Sequence, residues 1–279
     1  MDKRTLRKVQ LVQLEIAKEI KRVCDELGID YFLDSGSLLG AIRHHGFIPW
    51  DDDMDIGMTR INYEKFVKEA PFILSEKFYI QTWNSDQMYG LPFAKVRKKG
   101  TVYVEAGSER VSAESGFFVD VFPYYTYPAS LSSRKRQRRK LEIVRRMILV
   151  KCNYTPWKSS STNGTTKRVI KRTVYIFCKC LALFCSKRRL IKSFEKECRK
   201  YESSEADLLF PCGTTNYGKF TVKKSCLERL RLISFEDTDF LCPIDYDAYL
   251  TAAYGDYMKL PPENQRENRH GIVKIRFGQ

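Results

Sequence analysis

Four carboxylates stand within five residues at Asp51, Asp52, Asp53 and Asp55, between Trp50 and Ile56. Two such charges about 5 Å apart repel by roughly 3 kcal/mol at an effective dielectric near 20, so a fold that gathers them needs an offset. The usual offset is a divalent cation held by oxygen ligands, Mg²⁺ or Mn²⁺, which also grips substrate phosphates. Alternation along the chain supports this. On a strand, Asp53 and Asp55 share one face while Met54 and Ile56 enter the core, and two carboxylates so spaced can share a metal. A run of acids is more often a solvated loop, but Pro49-Trp50 before it and Ile56-Gly57 after it are not loop-tip residues.

Upstream, Ser35-Gly36-Ser37 follows a short apolar run at 29–33 and opens the helical LLGAIR. Small residues at a helix N-terminus let backbone N–H groups and a hydroxyl approach a phosphate. Alone, S-G-S is also an ordinary turn. Followed by the acids, it gives a strand, a glycine-serine turn, a helix, and a strand carrying two carboxylates, which is the pattern of the nucleotidyltransferase fold. A third carboxylate is expected on a neighbouring strand. Asp120, inside the apolar GFFVDVFPYY, is the candidate, because a charge there is costly unless it is compensated.

Arg43 lies between the two motifs and suits a phosphate contact as a planar multi-donor cation. Of His44 and His45, adjacent in sequence, at most one faces the site. Lys95 and Arg97 alternate in FAKVRKKG, so both fall on one strand face, for phosphate or for solvent. His270 is isolated.

The elements that must carry these residues can be read from periodicity. Residues 6–27 repeat apolar positions at spacings of three and four, with Gly28 as a stop. A second strand starts near Met54, Thr59 caps a helix through Ala70, and strands are expected at 78–83, 92–98, 101–105 and 116–122. The fold class is therefore α+β, a small mixed sheet with flanking helices plus a basic helical insert. Residues 1–128 are expected to form the catalytic core, 129–202 the basic helical segment, and 203–279 the part that completes the core. The C-terminal part reads as a short Tyr-rich helix, a turn and a surface tail.

The net charge of +15 on 279 residues suggests nucleic-acid binding, but residues 134–200 hold 22 Lys and Arg against three Glu. That segment carries +19, leaving −4 for the rest. A local basic face suits an anionic surface without making the protein a polyanion binder, and no RNA-binding module is recognisable, so no nucleic-acid partner is expected. Within the segment, residues 174–185 are apolar and fenced by Lys and Arg. Two readings compete: helices packed on the core, or an interfacial membrane contact. No apolar run is long enough to span a bilayer. The charged N-terminus and nine scattered cysteines without a C-x-x-C pair point to a reducing cytoplasm, with no disulfide framework, and to a site at the inner face of the membrane if the basic segment docks there.

The stretch DSGSLLGAIRHHGFIPWDDDMDIGM resembles the LicD family of phosphotransferases, which includes bacterial phosphocholine transferases and is related to fukutin and fukutin-related protein. FAKVRKKGTVYVE, FFVDVFP and YLTAAYGDYMKLPP extend the resemblance over nearly the whole chain, least in the basic segment. It implies a nucleotidyltransferase-like core, a divalent metal, and transfer of a substituted phosphate from a CDP-linked donor to a glycan. It carries Asp53, Asp55 and, less directly, Asp120 over as metal ligands and catalytic acids, and leaves Asp51 and Asp52 open. The expected reaction is transfer of phosphocholine from CDP-choline to a sugar hydroxyl of a lipid-linked precursor of teichoic-acid or lipopolysaccharide type. Ser35, Gly36, Ser37, Arg43, Lys95 and Arg97 are the candidate donor contacts. Alternatives are ribitol or glycerol phosphate transfer from a CDP donor, nucleotidyl transfer, and a catalytically dead membrane adaptor, against which intact Asp53 and Asp55 count.

Overall fold

The computed structural model describes residues 1–155, 165–211, 217–267 and 271–278; most of the polar stretch at 159–166, and His270, lie outside them. Helix α1 (Lys3–Leu27) is capped by the Asp2 carboxylate, which accepts from the Thr5 amide at 2.9 Å. It ends at Gly28, whose φ of 60° is left-handed and favours glycine. Its apolar stripe, Val9, Ile16, Ile20 and Val23, is fully buried; each such side chain contributes about 1.5–3 kcal/mol of burial. Strand β1 (Phe32–Leu33) leads into α2 (Ser35–His44), β2 (Asp55–Thr59) and α3 (Arg60–Glu69), the last capped by the Thr59 hydroxyl as expected. Strands β3 (Phe78–Gln81), β4 (Ala94–Lys98), β5 (Val102–Glu105) and β6 (Phe118–Thr126) follow, close to the expected spans.

The main sheet runs β1-β2-β6-β4-β3, with β6 parallel to β2 and antiparallel to β4. All nine residues of β6 are buried, because α1 and α3 cover it and its far end is sealed by a second core. That second core belongs to the basic segment, which forms three helices: α4 (Leu131–Lys151), α5 (Thr165–Leu183) and α6 (Lys187–Cys198). Helix α4 lies between the other two, and Ile148, Cys178, Ala182 and Phe194 pack with Tyr125 and Phe210.

The last third adds strands that sequence periodicity did not show. Strands β7 (Leu208–Pro211) and β8 (Val222–Lys223) extend the main sheet beyond β6, followed by the short helix α7 (Lys224–Glu228). The hairpin of β9 (Leu230–Phe235) and β10 (Thr238–Pro243) packs on α2, α8 (Tyr246–Tyr254) is the expected Tyr-rich helix, and β11 (Ile272–Arg276) pairs with β5. The tail is thus tied into a sheet rather than laid on the surface.

Among the described residues seven cysteines are free and Cys198 is disulfide-bonded, so the cysteine pattern does not by itself argue for a reducing compartment. Among the described residues no helix is long and apolar enough to cross a membrane.

Candidate active site

The acids meet where β2 starts. Asp51–Met54 precede the strand, and α1 holds them in place: Gln10 donates to the Asp51 carbonyl at 2.9 Å and Gln13 to the Asp52 carbonyl at 2.7 Å. Both glutamines are buried on the α1 face that packs on the sheet. Met54 and Ile56 are fully buried, as alternation required. Asp55 is the register partner of Asp120 across the parallel β2–β6 pair, and the Asp120 amide donates to the Met54 carbonyl at 3.0 Å. Burial pushes the Asp55 carboxyl well above the usual carboxylate range, and repulsion from Asp53, Asp120, Asp34 and Asp51 adds to it.

Asp120 has a cation beside it. Lys95, its register partner on β4, places Nζ 2.7 Å from Asp120 Oδ1 and 3.8 Å from Glu105 Oε2, and 3.1 Å from the centre of the Phe118 ring. Lys95 is 2 % exposed. Burial raises the Asp120 carboxyl to about 6 even though Lys95 pulls it down. Arg97 is buried on the same face, but its Nε donates to Gln81 Oε1 at 2.5 Å and its Nη1 to the Gly116 carbonyl. It braces the sheet as well as lining a cleft.

The S-G-S turn is stitched to the acids. The Asp55 amide donates to Ser37 Oγ at 2.8 Å, and the Asp34 amide to the Asp55 carbonyl at 3.0 Å. Asp34, the N-cap of α2, accepts through Oδ1 from the Ser35 amide at 2.7 Å, from the Tyr124 hydroxyl at 2.8 Å and from the Tyr249 hydroxyl. Its Oδ2 is buried without a hydrogen-bond partner, and burial raises this carboxyl despite these donors and a fourth, the Ser35 hydroxyl at 3.3 Å from Oδ1. A Cβ at Gly36 would stand 2.8 Å from Asp51 Oδ2, so a larger residue there has to push that carboxylate aside.

Two clefts flank the acids. One, about 450 Å³, is lined by Gly36, Arg43, Trp50, Asp51, Lys219 and Tyr254. The Tyr254 hydroxyl is pushed up by burial and by Asp34, Asp55, Asp51 and Asp53, which sets it beside the cluster. The other, about 460 Å³, is lined by Lys95, Arg97, Glu105 and the rings of Tyr89, Tyr103 and Tyr154. Arg43 lines the first cleft while its Nη1 donates to the Tyr257 carbonyl at 2.7 Å, so part of the guanidinium anchors the segment after α8. His44 accepts from Arg43 Nε at 3.0 Å, and burial and that cation pull its imidazole below the usual histidine range. His45, with a φ of 57°, ends α2.

Oxygen donors for a metal are present. The carboxylates of Asp51, Asp52 and Asp53 have oxygens within 4.8 Å of one another, a trio that shares only Asp53 with the set expected from sequence. Asp52 is buried and accepts from the Tyr103 hydroxyl at 2.7 Å, which fixes it to the wall of the second cleft. An all-carboxylate set beside repelled Asp55 fits a hard divalent ion.

Sequence reasoning missed Asp34, Tyr103, Tyr124, Tyr249 and Tyr254, which reach the acids from distant parts of the chain. Gln13 did carry a signal, a polar residue in step with Val9, Ile16 and Ile20 on an apolar stripe.

Residues 28–149 match the family described as LicD/FKTN/FKRP, nucleotidyltransferase domain. The chain is 29 % identical over 97 % of its length, and 97 % of the relative's, to the lipopolysaccharide cholinephosphotransferase LicD of Haemophilus influenzae. A stretch of 44 residues, 16 % of this chain and 9 % of the relatives, is 48 % identical to the ribitol 5-phosphate transferase FKRP of mouse and of human. Asp51, Asp53, Asp55 and Asp120, with the S-G-S turn they surround, all lie within residues 28–149, the part of the chain that matches the LicD/FKTN/FKRP domain.

Proposed function

We propose that the protein transfers phosphocholine from CDP-choline to a hydroxyl of a cell-surface glycan precursor, using a divalent metal on a nucleotidyltransferase-like core. The observation that carries this reading is the juxtaposition of Asp55 and Asp120, in register on parallel strands, with the converging Asp51–Asp53 and a cleft floored by Gly36. Similarity to a cholinephosphotransferase over nearly the full length of both chains supports the choice of donor.

In this reading Asp53 and Asp55, with Asp51 or Asp120, hold Mg²⁺ or Mn²⁺, which when bound neutralises charge on the donor diphosphate. The protein's own share is positioning. The donor lies in the Gly36 cleft. There the Gly36 amide, without a partner among the described residues, and the Lys219 and Arg43 cations face its phosphates. Trp50, Tyr254 and Tyr257 supply aromatic faces for a quaternary ammonium. The acceptor hydroxyl enters from the Lys95 cleft and attacks phosphorus; the bond to the CMP oxygen breaks, and CMP leaves. Asp120, whose carboxyl sits near 6, takes the hydroxyl proton while Lys95 holds it in place.

The short match to ribitol 5-phosphate transferases favours a second reading, ribitol phosphate transfer from its CDP donor. Thermal unfolding with Mg²⁺ and a panel of CDP-choline, CDP-ribitol and CDP-glycerol distinguishes them. CDP-choline is expected to protect most; protection by CDP-ribitol alone selects the second reading, and protection by none of them removes both.

A further inference from the structure

Helix α5 uses one side only. Val174, Cys178 and Ala182 face α4, while the opposite side presents Val169, Ile176 and Leu183 in one row and Ile170 and Phe177 in the next, with Phe184 continuing that row in the turn after the helix. The spacing of seven within each row is two helical turns, so the rows run side by side along the helix. Phe177 is 63 % exposed, Leu183 75 % and Phe184 85 %. An apolar stripe of this length on a folded surface marks a contact. Arg172 and Lys179, also seven apart, border the stripe and are exposed without ion pairs among the described residues. In the same segment, α4 opens with exposed Lys135, Arg136, Arg138 and Arg139, and α6 with exposed Arg188 and Arg189, again without ion pairs among the described residues.

We infer that this face of α5 docks on an anionic lipid bilayer, the aliphatic and Phe side chains entering the headgroup boundary while the surrounding cations meet lipid phosphates. Charge selects this occupant. A second copy would bring two segments of +19 together, whereas an anionic surface neutralises them. Apolar residues flanked by Lys and Arg on a helix lying in the plane of the interface satisfy both halves of the surface at once. The inference does not depend on which group the active site transfers.

The test is co-sedimentation of the whole protein with phosphatidylcholine vesicles and with vesicles half phosphatidylglycerol. Binding is expected only to the anionic vesicles and is expected to weaken as salt rises. Neutralising two interfacial cations in Arg172→Gln/Lys179→Gln is expected to lower the partition coefficient about thirty-fold, at about 1 kcal/mol per cation. Phe177→Ser/Phe184→Ser is expected to abolish binding with an unchanged melting temperature, because both rings are already in water. The inference is overturned if the wild-type protein stays in the supernatant at low salt, or if the Phe variant binds as well as wild type. It is equally overturned if that variant melts early, which makes the face a packing surface. A wild-type dimer in sedimentation velocity that the Phe variant dissolves assigns the face to a second copy instead.

Discussion

Replacing Lys95 with Met leaves Asp120 as a buried carboxylate without its cation. Nζ lies 2.7 Å from Oδ1 and Asp120 is 8 % exposed, so water replaces the cation only in part. Removing one partner of such a pair costs about 3–5 kcal/mol, a fall in melting temperature of roughly 6–10 °C for a chain of this size. The cost depends on pH. Asp120 is raised from 3.8 to about 6 in the fold, so the folded state holds this proton more tightly than the unfolded chain does. Its penalty is therefore absent below about pH 4 and complete above about pH 6. Without Lys95 the carboxyl rises further, and the deficit of Lys95→Met relative to wild type is expected to shrink as pH falls from neutral toward about pH 5. Thermal melts of wild type, Lys95→Met and Lys95→Met/Asp120→Asn without added metal check this. The double variant is expected to recover most of the loss, because it buries no orphan charge. A deficit equal at both pH values, or no rescue by Asp120→Asn, would refute the pairing as the source of the cost.

Asp53→Asn and Asp55→Asn are each expected to abolish transfer while the metal-free protein melts no earlier, because a like charge has been removed from the cluster; retained turnover measured by CMP release contradicts this. Gly36→Ala forces a Cβ to within 2.8 Å of Asp51 Oδ2, and the displacement is expected to cost up to about 10²-fold in kcat/KM with little change in melting. Tyr249→Phe removes one of four donors to buried Asp34 and is expected to destabilise by about 1.5–3 kcal/mol in urea melts, with the Asp34 carboxyl rising further.

Alternation was enough to place Met54 and Ile56 inside, and an acid in an apolar strand was enough to single out Asp120, because both are local patterns set by the pleat. Local pattern could not show that Lys95 would face Asp120 rather than only a phosphate, since the β4–β6 register that joins them spans 25 residues of chain. Nor could it show Tyr249 bonding Asp34, or β11 pairing with β5, which bring the far end of the chain to the half that holds the acids. The basic segment was legible as helical, but its third helix was not, because the fence of Lys and Arg masks the small apolar set of α6, Leu190 and Phe194. Asp51 and Asp52 illustrate the opposite case. Their types suggested metal binding, but only the Gln10 and Gln13 bonds to their backbone carbonyls and the Tyr103 hydroxyl on the Asp52 carboxylate distinguish a held segment from a solvated one.

The most direct test of the account follows both halves of CDP-choline in one reaction, with labelled choline and a glycan acceptor, for wild type and Asp55→Asn, with Mg²⁺ and with excess chelator. The expected result is CMP released in equal amount to phosphocholine joined to the glycan, by wild type with Mg²⁺ only. Nucleotide retained on the acceptor, or undiminished transfer in chelator or by Asp55→Asn, would contradict it.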